Sequence, residues 1–394
     1  MDESRVDALQ GRSRDENNTS GSGSGRNDHN QDSEIKEAVA RWEAEVKERR
    51  LAQSKEAVAM EVDPWLRCTK WPAVLACSKH DLIKTSRFVR GPDADETELV
   101  RALGGWSRLL EYCLDTLESV NHRDALKWWA SPQNEAASQR PFELPQNTKS
   151  TLPRYSKAFQ GLICYILRTA PINWGEETET GVQYTDLQWQ SIDELRQVLA
   201  QPVAVAVAED EEVEYKKQDH EVTVGVFKVI MSLVCHDLSQ STVYDSAIMH
   251  YLAVRGIDHQ TRAYMPASSY TPILAQMLWM IRLVMLEITL PLEDWPEIGL
   301  QSRSKIEGVV EYMQSMRRKY LCEGSFSPAS SILSQLARGK AINKLQHSPS
   351  NIHWSDDRQM VFFDGKGVAV AKIGSMCQML IQELQDILYK LLFY

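Results

Sequence analysis

The chain has few of the features by which an enzyme can be identified from its sequence. It has no glycine-rich phosphate loop, since the nearest stretch, "FDGKGV", lacks the GxxxxGK[ST] spacing and lies between two predicted strands. It also has no HExxH, GxSxG or CxxC motif. We therefore predict a non-enzymatic protein with no catalytic residue, no cofactor, no bound metal and no small-molecule substrate.

Cysteine is scarce and scattered. The seven cysteines are an odd number with no paired spacing, which argues against a disulfide framework and favours a reducing compartment. Cys68, Cys77 and His80 could supply three zinc ligands, but a fourth is missing. Cys235 and His236 lie near two further polar residues, Asp245 and His250, but such residues on a helix usually face solvent or satisfy backbone groups. The first residues lack the apolar core of a signal peptide.

Positive charge is in deficit over the whole chain and in excess in one segment. Lys and Arg total 44 against 54 Asp and Glu, and the net charge of -10 opposes general attraction to nucleic acid or to an anionic membrane. Residues 303–345, however, contain eight basic and three acidic residues. This excess predicts a local patch that binds DNA or RNA phosphates, with a solvated helix face as the alternative. The predicted phosphate contacts are Arg317, Arg318, Lys319, Arg338 and Lys340.

Apolar residues recur mostly at three- and four-residue steps, so the sequence predicts a mainly α-helical fold. Residues 1–33 have too few apolar side chains to fold and are predicted to be a disordered tail. A charged helix or linker is predicted at 34–61, a first helical lobe at 62–205 and a second at 215–394. The longest apolar run, "YTPILAQMLWMIRLVMLEITLPL", contains Arg282 and Glu287, which favours a buried helix over a membrane span.

Three tryptophans are predicted to be aromatic anchors. Trp65 and Trp71, flanked by prolines, should pack under the first lobe, with a peptide-binding or base-stacking platform as the alternative. Trp354 lies in the first strand of a β-hairpin predicted at about 351–371. Because two or three short strands are not stable alone, we expect the hairpin to pack on the last helix. The predicted contacts on that helix are Met379, Leu384, Leu388 and Leu391.

Six blocks of sequence occur in an order that resembles a large fungal family. They begin with "PWLRCTKWPAVL", continue through "RPFELPQNTKSTLPRYSKAFQGLICYILRT", "DSAIMHYLAVRGID", "SYTPILAQMLWMIRLVMLEITLP" and "KYLCEGSFSPASSILSQLARGKAI", and end with "IHWSDDRQMVFFDGKGVAV". The resembled proteins are helical regions linked to telomeric RecQ-type helicases and proteins with the domain of orsellinic-acid-cluster protein D. The resemblance implies a mobile-element or subtelomeric origin and a nuclear setting, with cytoplasm as the alternative, and it supplies no catalytic residues.

The pattern and the resemblance together predict a nuclear helical module that binds nucleic acid or a chromatin-associated partner. No helicase motor is present in the sequence, so the resemblance does not imply ATP-driven unwinding. Two alternatives remain open at this point. One is a protein-interaction scaffold that does not bind nucleic acid, and the other is a recombinase-like enzyme with a cryptic site. We expect no membrane partner.

Overall fold

The computed structural model describes residues 63–75, 88–173, 181–202, 209–258, 260–261, 263–344, 352–355, 359–363 and 366–393. The predicted tail at 1–33 and the predicted charged helix at 34–61 lie outside these residues. All of the described residues belong to one compact unit, Lys55–Tyr394.

Helices make up most of the described chain, as predicted. The first six are α1 (Pro64–Thr69), α2 (Trp71–Leu75), α3 (Thr97–Ser119), α4 (Arg123–Ala130), α5 (Thr148–Thr169) and α6 (Asp186–Ala200). The next five are α7 (Glu209–Val234), α8 (Ala247–Arg255), α9 (Ala267–Thr289), α10 (Val309–Tyr320) and α11 (Pro328–Lys344). Three short strands follow, β1 (Ile352–Trp354), β2 (Met360–Phe363) and β3 (Lys366–Ala369), and then the last helix, α12 (Val370–Phe393).

Several helices begin where the sequence supplies a cap. Asp63 accepts a hydrogen bond from the backbone N–H of Trp65 and starts α1. Thr185 and Gln188 form a reciprocal capping box at the start of α6, which satisfies two backbone donors that would otherwise lack partners. Ser246 caps α8 with a single hydrogen bond, which its side chain accepts from the backbone N–H of Met249. These caps fix the positions at which the chain turns from loop into helix.

Helix α9 is the centre of the core. It is apolar on nearly all sides and packs on α3, α5 and α11, as expected for a helix surrounded by others. Among the described helices it alone has the length and composition of a membrane span, and 67% of its most apolar window is buried inside the protein. The predicted buried helix is thus confirmed.

The two predicted lobes share one hydrophobic core. Helix α7, which begins inside the predicted boundary at 201–214 and continues past it, packs on α3 and α6, which come before the boundary. A single cluster of buried apolar residues extends from Trp65 to Leu336. The acidic stretch 209–214 therefore forms the first turns of a helix of this one body, and it does not separate two cores.

Two glycines allow helices to approach closely. A Cβ at Gly105 would lie 2.9 Å from Cγ1 of Val222, where α3 crosses α7. A Cβ at Gly339 would lie 2.5 Å from Cγ2 of Thr271, where α11 crosses α9. Any side chain at these positions would push apart helices whose contact forms the core.

The strands form a small antiparallel sheet in the order β1, β2, β3, which confirms the predicted hairpin before the last helix. Trp354 pairs with Val361, which pairs in turn with Val368. The contacts predicted between the hairpin and the last helix are wrong. The four α12 side chains expected to receive it are 58–75% exposed. The largest contact of α12 is with β3, the strand that leads directly into it.

Candidate interaction surface

Four of the five predicted phosphate-binding residues are exposed. Arg318 and Lys319 lie in the last turn of α10, and Arg338 and Lys340 lie on α11, a helix that contacts α10. The Lys319 ammonium lies 5.0 Å from the centre of the Tyr320 ring, a cation–π distance. Its hydrogen bond to Tyr320 raises the pKa of Lys319. These four side chains can reach a ligand.

Arg317 cannot take part in that patch, and its predicted role is wrong. Its side chain is fully buried, and its guanidinium group donates to the backbone carbonyl oxygens of Gln133 and Asn134, each at 2.8 Å. It also lies 5.2 Å above the Trp128 ring. The five donors of an arginine fork suit a cluster of carbonyl oxygens as well as they suit phosphate. Arg317 therefore holds the 131–134 loop against α10.

A second arginine lies in the same part of the core. The Nε and Nη2 atoms of Arg282 are buried without a hydrogen-bond partner among the described residues, and burial lowers the pKa of this group to about 10. Burial likewise lowers the pKa of Arg317, and the neighbouring thiol of Cys322 opposes this effect. Both arginines face the protein interior, so neither adds to the exposed basic patch.

Trp65 and Trp71 are buried, which confirms them as anchors and excludes a stacking platform for a base or peptide. The two rings meet edge to face at a centroid distance of 5.6 Å. Tyr270 of α9 lies 4.5 Å from Trp71, so the aromatic cluster attaches α1 and α2 to the central helix. Trp354, by contrast, is half exposed on the sheet.

Among the residues weighed for acid-base or nucleophilic chemistry, His236 has a pKa that burial lowers, and the charge of Asp245 opposes this shift. The ring of His250 is buried and its Nδ1 lies 2.8 Å from the Tyr165 hydroxyl. Asp245 accepts a hydrogen bond from the backbone of Thr242. Burial raises the pKa of the Cys235 thiol to about 12, which keeps it protonated and weakly nucleophilic at neutral pH.

The described residues also contain no group of three side chains able to hold a metal ion, while Cys77 and His80 lie outside them. Asp356 and Asp357, adjacent carboxylates of the hairpin loop, lie outside them as well.

A shallow cleft of about 310 Å³ lies between the start of α3 and the ends of α5 and α6. Two of its charged groups, Glu96 and Arg168, form an ion pair. Arg168 donates to both carboxylate oxygens of Glu96, at 2.9 and 2.5 Å, and this hydrogen bonding lowers the pKa of Glu96 to about 2. Arg168 and Arg196 also donate to backbone carbonyl oxygens around the cleft. The arginines of the cleft wall are thus already engaged by protein groups.

The most distinctive surface is the apolar face of α12. Nine of its large apolar side chains are at least half exposed, whereas the corresponding residues of α9 are buried. Seven of them share one side of the helix, Met376, Leu380, Ile381, Leu384, Ile387, Leu388 and Leu391, and this side is called the apolar face; Met379 and Tyr389 lie outside it. Exposed apolar residues that are contiguous on one element are typical of a protein-binding surface. The periodicity of this helix was visible in the sequence, but periodicity alone does not distinguish an intramolecular partner from an external one.

Comparison of the chain with protein-family models, with curated proteins and with solved structures gives no match. The resemblance to the helicase-linked fungal family therefore stays a prediction.

Proposed function

We propose that this protein is an interaction module in which a helical body presents the β1–β3 sheet and α12 to a protein partner. The observation that carries the proposal is the exposure of the apolar face of α12. A helix of 24 residues that keeps leucines and isoleucines half to three-quarters exposed leaves much of the hydrophobic stabilisation of folding unused. A protein partner that covers this face would recover it.

Other features also favour a binding role over a catalytic one. In the cleft, Arg168 pairs with Glu96 and Arg196 donates to a backbone carbonyl oxygen. Burial raises the pKa of the Cys235 thiol. Trp354 and Val368 are exposed on the sheet that precedes α12. The sheet thus adds apolar area to the same unit, in the manner of the aromatic anchors found at interfaces.

Site-specific photocrosslinking tests this proposal. A photoreactive phenylalanine analogue at Leu388 should form protein adducts in an extract of the source cells, and one at Gln382, on the polar side of the helix, should form few. Adding Leu384→Asp to the Leu388 probe should abolish its adducts, because a carboxylate in a buried apolar contact is strongly unfavourable. Equal adduct yields at the two positions would overturn the proposal.

Nucleic-acid binding is the second candidate, and the observation in its favour is that Arg318, Lys319, Arg338 and Lys340 are exposed on two helices in contact. Their cations would bind backbone phosphates without reading sequence. The nuclear setting implied by the fungal resemblance belongs with this candidate. A chromatin-associated protein partner would be compatible with both candidates.

Alanine at these four positions provides the test of the second candidate. The variant should bind all DNA duplexes more weakly. The slope of log binding constant against log salt concentration should become shallower by about 0.9 for each lost phosphate contact. A matched control removes four exposed positive charges elsewhere, at Arg140, Lys149, Arg154 and Lys157. If the control weakens binding equally, or if the wild-type chain does not bind near 50 mM salt, a low ionic strength for such contacts, this candidate is excluded.

A further inference from the structure

The apolar residues of α12 follow a seven-residue repeat in which the first (a) and fourth (d) positions are apolar. The a positions are Val370, Cys377, Leu384 and Leu391, and the d positions are Ile373, Leu380 and Ile387. The repeat holds for three heptads, the length at which such a pattern becomes typical of a coiled coil. This regularity goes beyond general amphipathicity, because it is the spacing that lets identical helices interlock along one seam.

We propose that α12 associates with α12 of further copies of this chain, so that the protein self-assembles through a C-terminal helical bundle. The inference rests on the proposed function and names the partner. Leucine at a with isoleucine at d favours bundles of more than two helices. Ile381 and Leu388 occupy the e positions and widen the apolar stripe, as required where each helix has two neighbours. We therefore expect more than two chains per assembly.

The exposed area is sufficient for a stable assembly. The seven exposed side chains of the apolar face together present an area comparable with the about 800 Å² per partner of a standard interface. Most of this area lies on the a, d and e face, where Leu380, Leu384 and Ile387 are each at least half exposed. The opposite face is mainly polar, with Gln378, Gln382 and Gln385, and provides a surface that can remain in water.

The charges of α12 favour a copy of itself over a charged partner or a lipid surface. Lys372 and Lys390 balance Glu383 and Asp386, so the helix has no net charge. Helices that lie on anionic membranes are usually rich in Lys and Arg on the polar face, and that excess is absent here. A neutral helix brings no net repulsion to a cluster of identical helices.

Light scattering coupled to size-exclusion chromatography tests self-assembly with the full chain. The wild type should elute with a mass greater than that of two 44.9 kDa chains. The double variant Leu384→Ala, Ile387→Ala should have an association constant roughly 100-fold lower, because apolar contact is lost. Alanine favours helix, so α12 itself is retained. The control combines Met379→Ala with Gln382→Ala on the opposite face. Neither residue lies at an a, d or e position, so this control should leave the assembly unchanged. It is matched because Met379 is at least as exposed as Leu384.

Three results would overturn self-assembly. They are a monomeric wild type at 100 µM, an equal loss of mass in both double variants, and sedimentation of the wild type with phosphatidylcholine vesicles in place of self-association. The first result, combined with position-dependent photocrosslinks at Leu388 to other proteins, would reject self-assembly and leave the proposed function standing. Absence of both mass increase and photocrosslinks would reject the two together.

Discussion

At the scale of single residues, Arg317 and Arg318 show how neighbours on one helix acquire opposite roles. Arg317 faces the core, where its side chain binds the 131–134 loop, and Arg318 faces solvent. Adjacent positions on a helix differ by about 100° in direction, so only one of a pair can point inward. The run "RRK" is therefore a core residue followed by two surface residues.

Arg317→Ala should destabilise the protein by about 3–5 kcal/mol, because a fully buried side chain is lost, a cavity forms beside Trp128, and the carbonyl oxygens of Gln133 and Asn134 lose their donors. Arg318→Ala is the matched control and should change stability by less than about 0.5 kcal/mol. Urea unfolding at neutral pH measures both. Similar losses in the two variants would contradict the assignment of Arg317 to the core.

Glu287 is a buried carboxylate within α9. It accepts hydrogen bonds from the Thr116 hydroxyl and, at 2.9 Å, from Nε1 of Trp295. Burial raises its pKa, and these two hydrogen bonds oppose the shift only in part. A raised carboxyl pKa means that the folded state binds the proton more tightly than the unfolded chain. Stability from this group is full below the ordinary glutamate pKa and is lost as pH rises through the raised value.

Glu287→Gln should therefore stabilise the protein at pH 7, because the amide keeps an acceptor for Trp295 and carries no charge to bury. The difference from wild type should shrink as the pH falls below the ordinary glutamate pKa. Thermal unfolding between pH 4 and pH 8 measures it, and Glu293→Gln, at an exposed position nearby, should show little change. A pH-independent destabilisation by Glu287→Gln would show that folding does not change the pKa of this carboxyl group, contrary to the expected rise.

At the scale of elements, the C-terminal sheet and α12 differ from the body in how their apolar residues are used. Trp106 of α3 is fully buried, stacks on Phe159 at 4.8 Å and donates from Nε1 to Ser156. Trp354 of β1 is half exposed. Both tryptophans lie in regular structure, so the contrast comes from the surroundings of each element.

Trp354→Ala should cost the isolated chain about 1 kcal/mol or less, whereas Trp106→Ala should cost about 3–5 kcal/mol, as for a fully packed aromatic residue. Chemical denaturation of each variant at low protein concentration gives the comparison. A large loss for Trp354→Ala would mean that the sheet is covered in solution by another part of the chain or by another copy.

At the scale of the whole molecule, one core joins the segments that the sequence suggested were two lobes. Helices α3, α5, α7 and α9 contact one another across the predicted boundary, so neither half buries its apolar surface alone. Calorimetry should accordingly show one cooperative transition for the body. Truncation after Lys344 removes the sheet and α12 and should lower its midpoint by less than about 2 °C, since little of the core is lost. Two resolved transitions of the body would restore the two-lobe interpretation.

The sequence by itself determined the class of the fold and most of its elements. Three- and four-residue periodicity and turn residues are local properties, and they predicted the mainly helical fold and the hairpin correctly. The buried state of α9 could also be inferred, because a continuous apolar run of that length containing Arg282 and Glu287 suits a protein interior better than a membrane.

Only the tertiary structure decided which side of each element faces the core. Arg317 and the apolar face of α12 have local patterns that fit two environments equally well, an inner and an outer one. The choice depends on which other helices lie nearby, and such contacts join residues far apart in the sequence, as between Arg317 and Asn134. Periodicity specifies that a face exists, and the packing of the whole chain determines whether that face is buried or left for a partner.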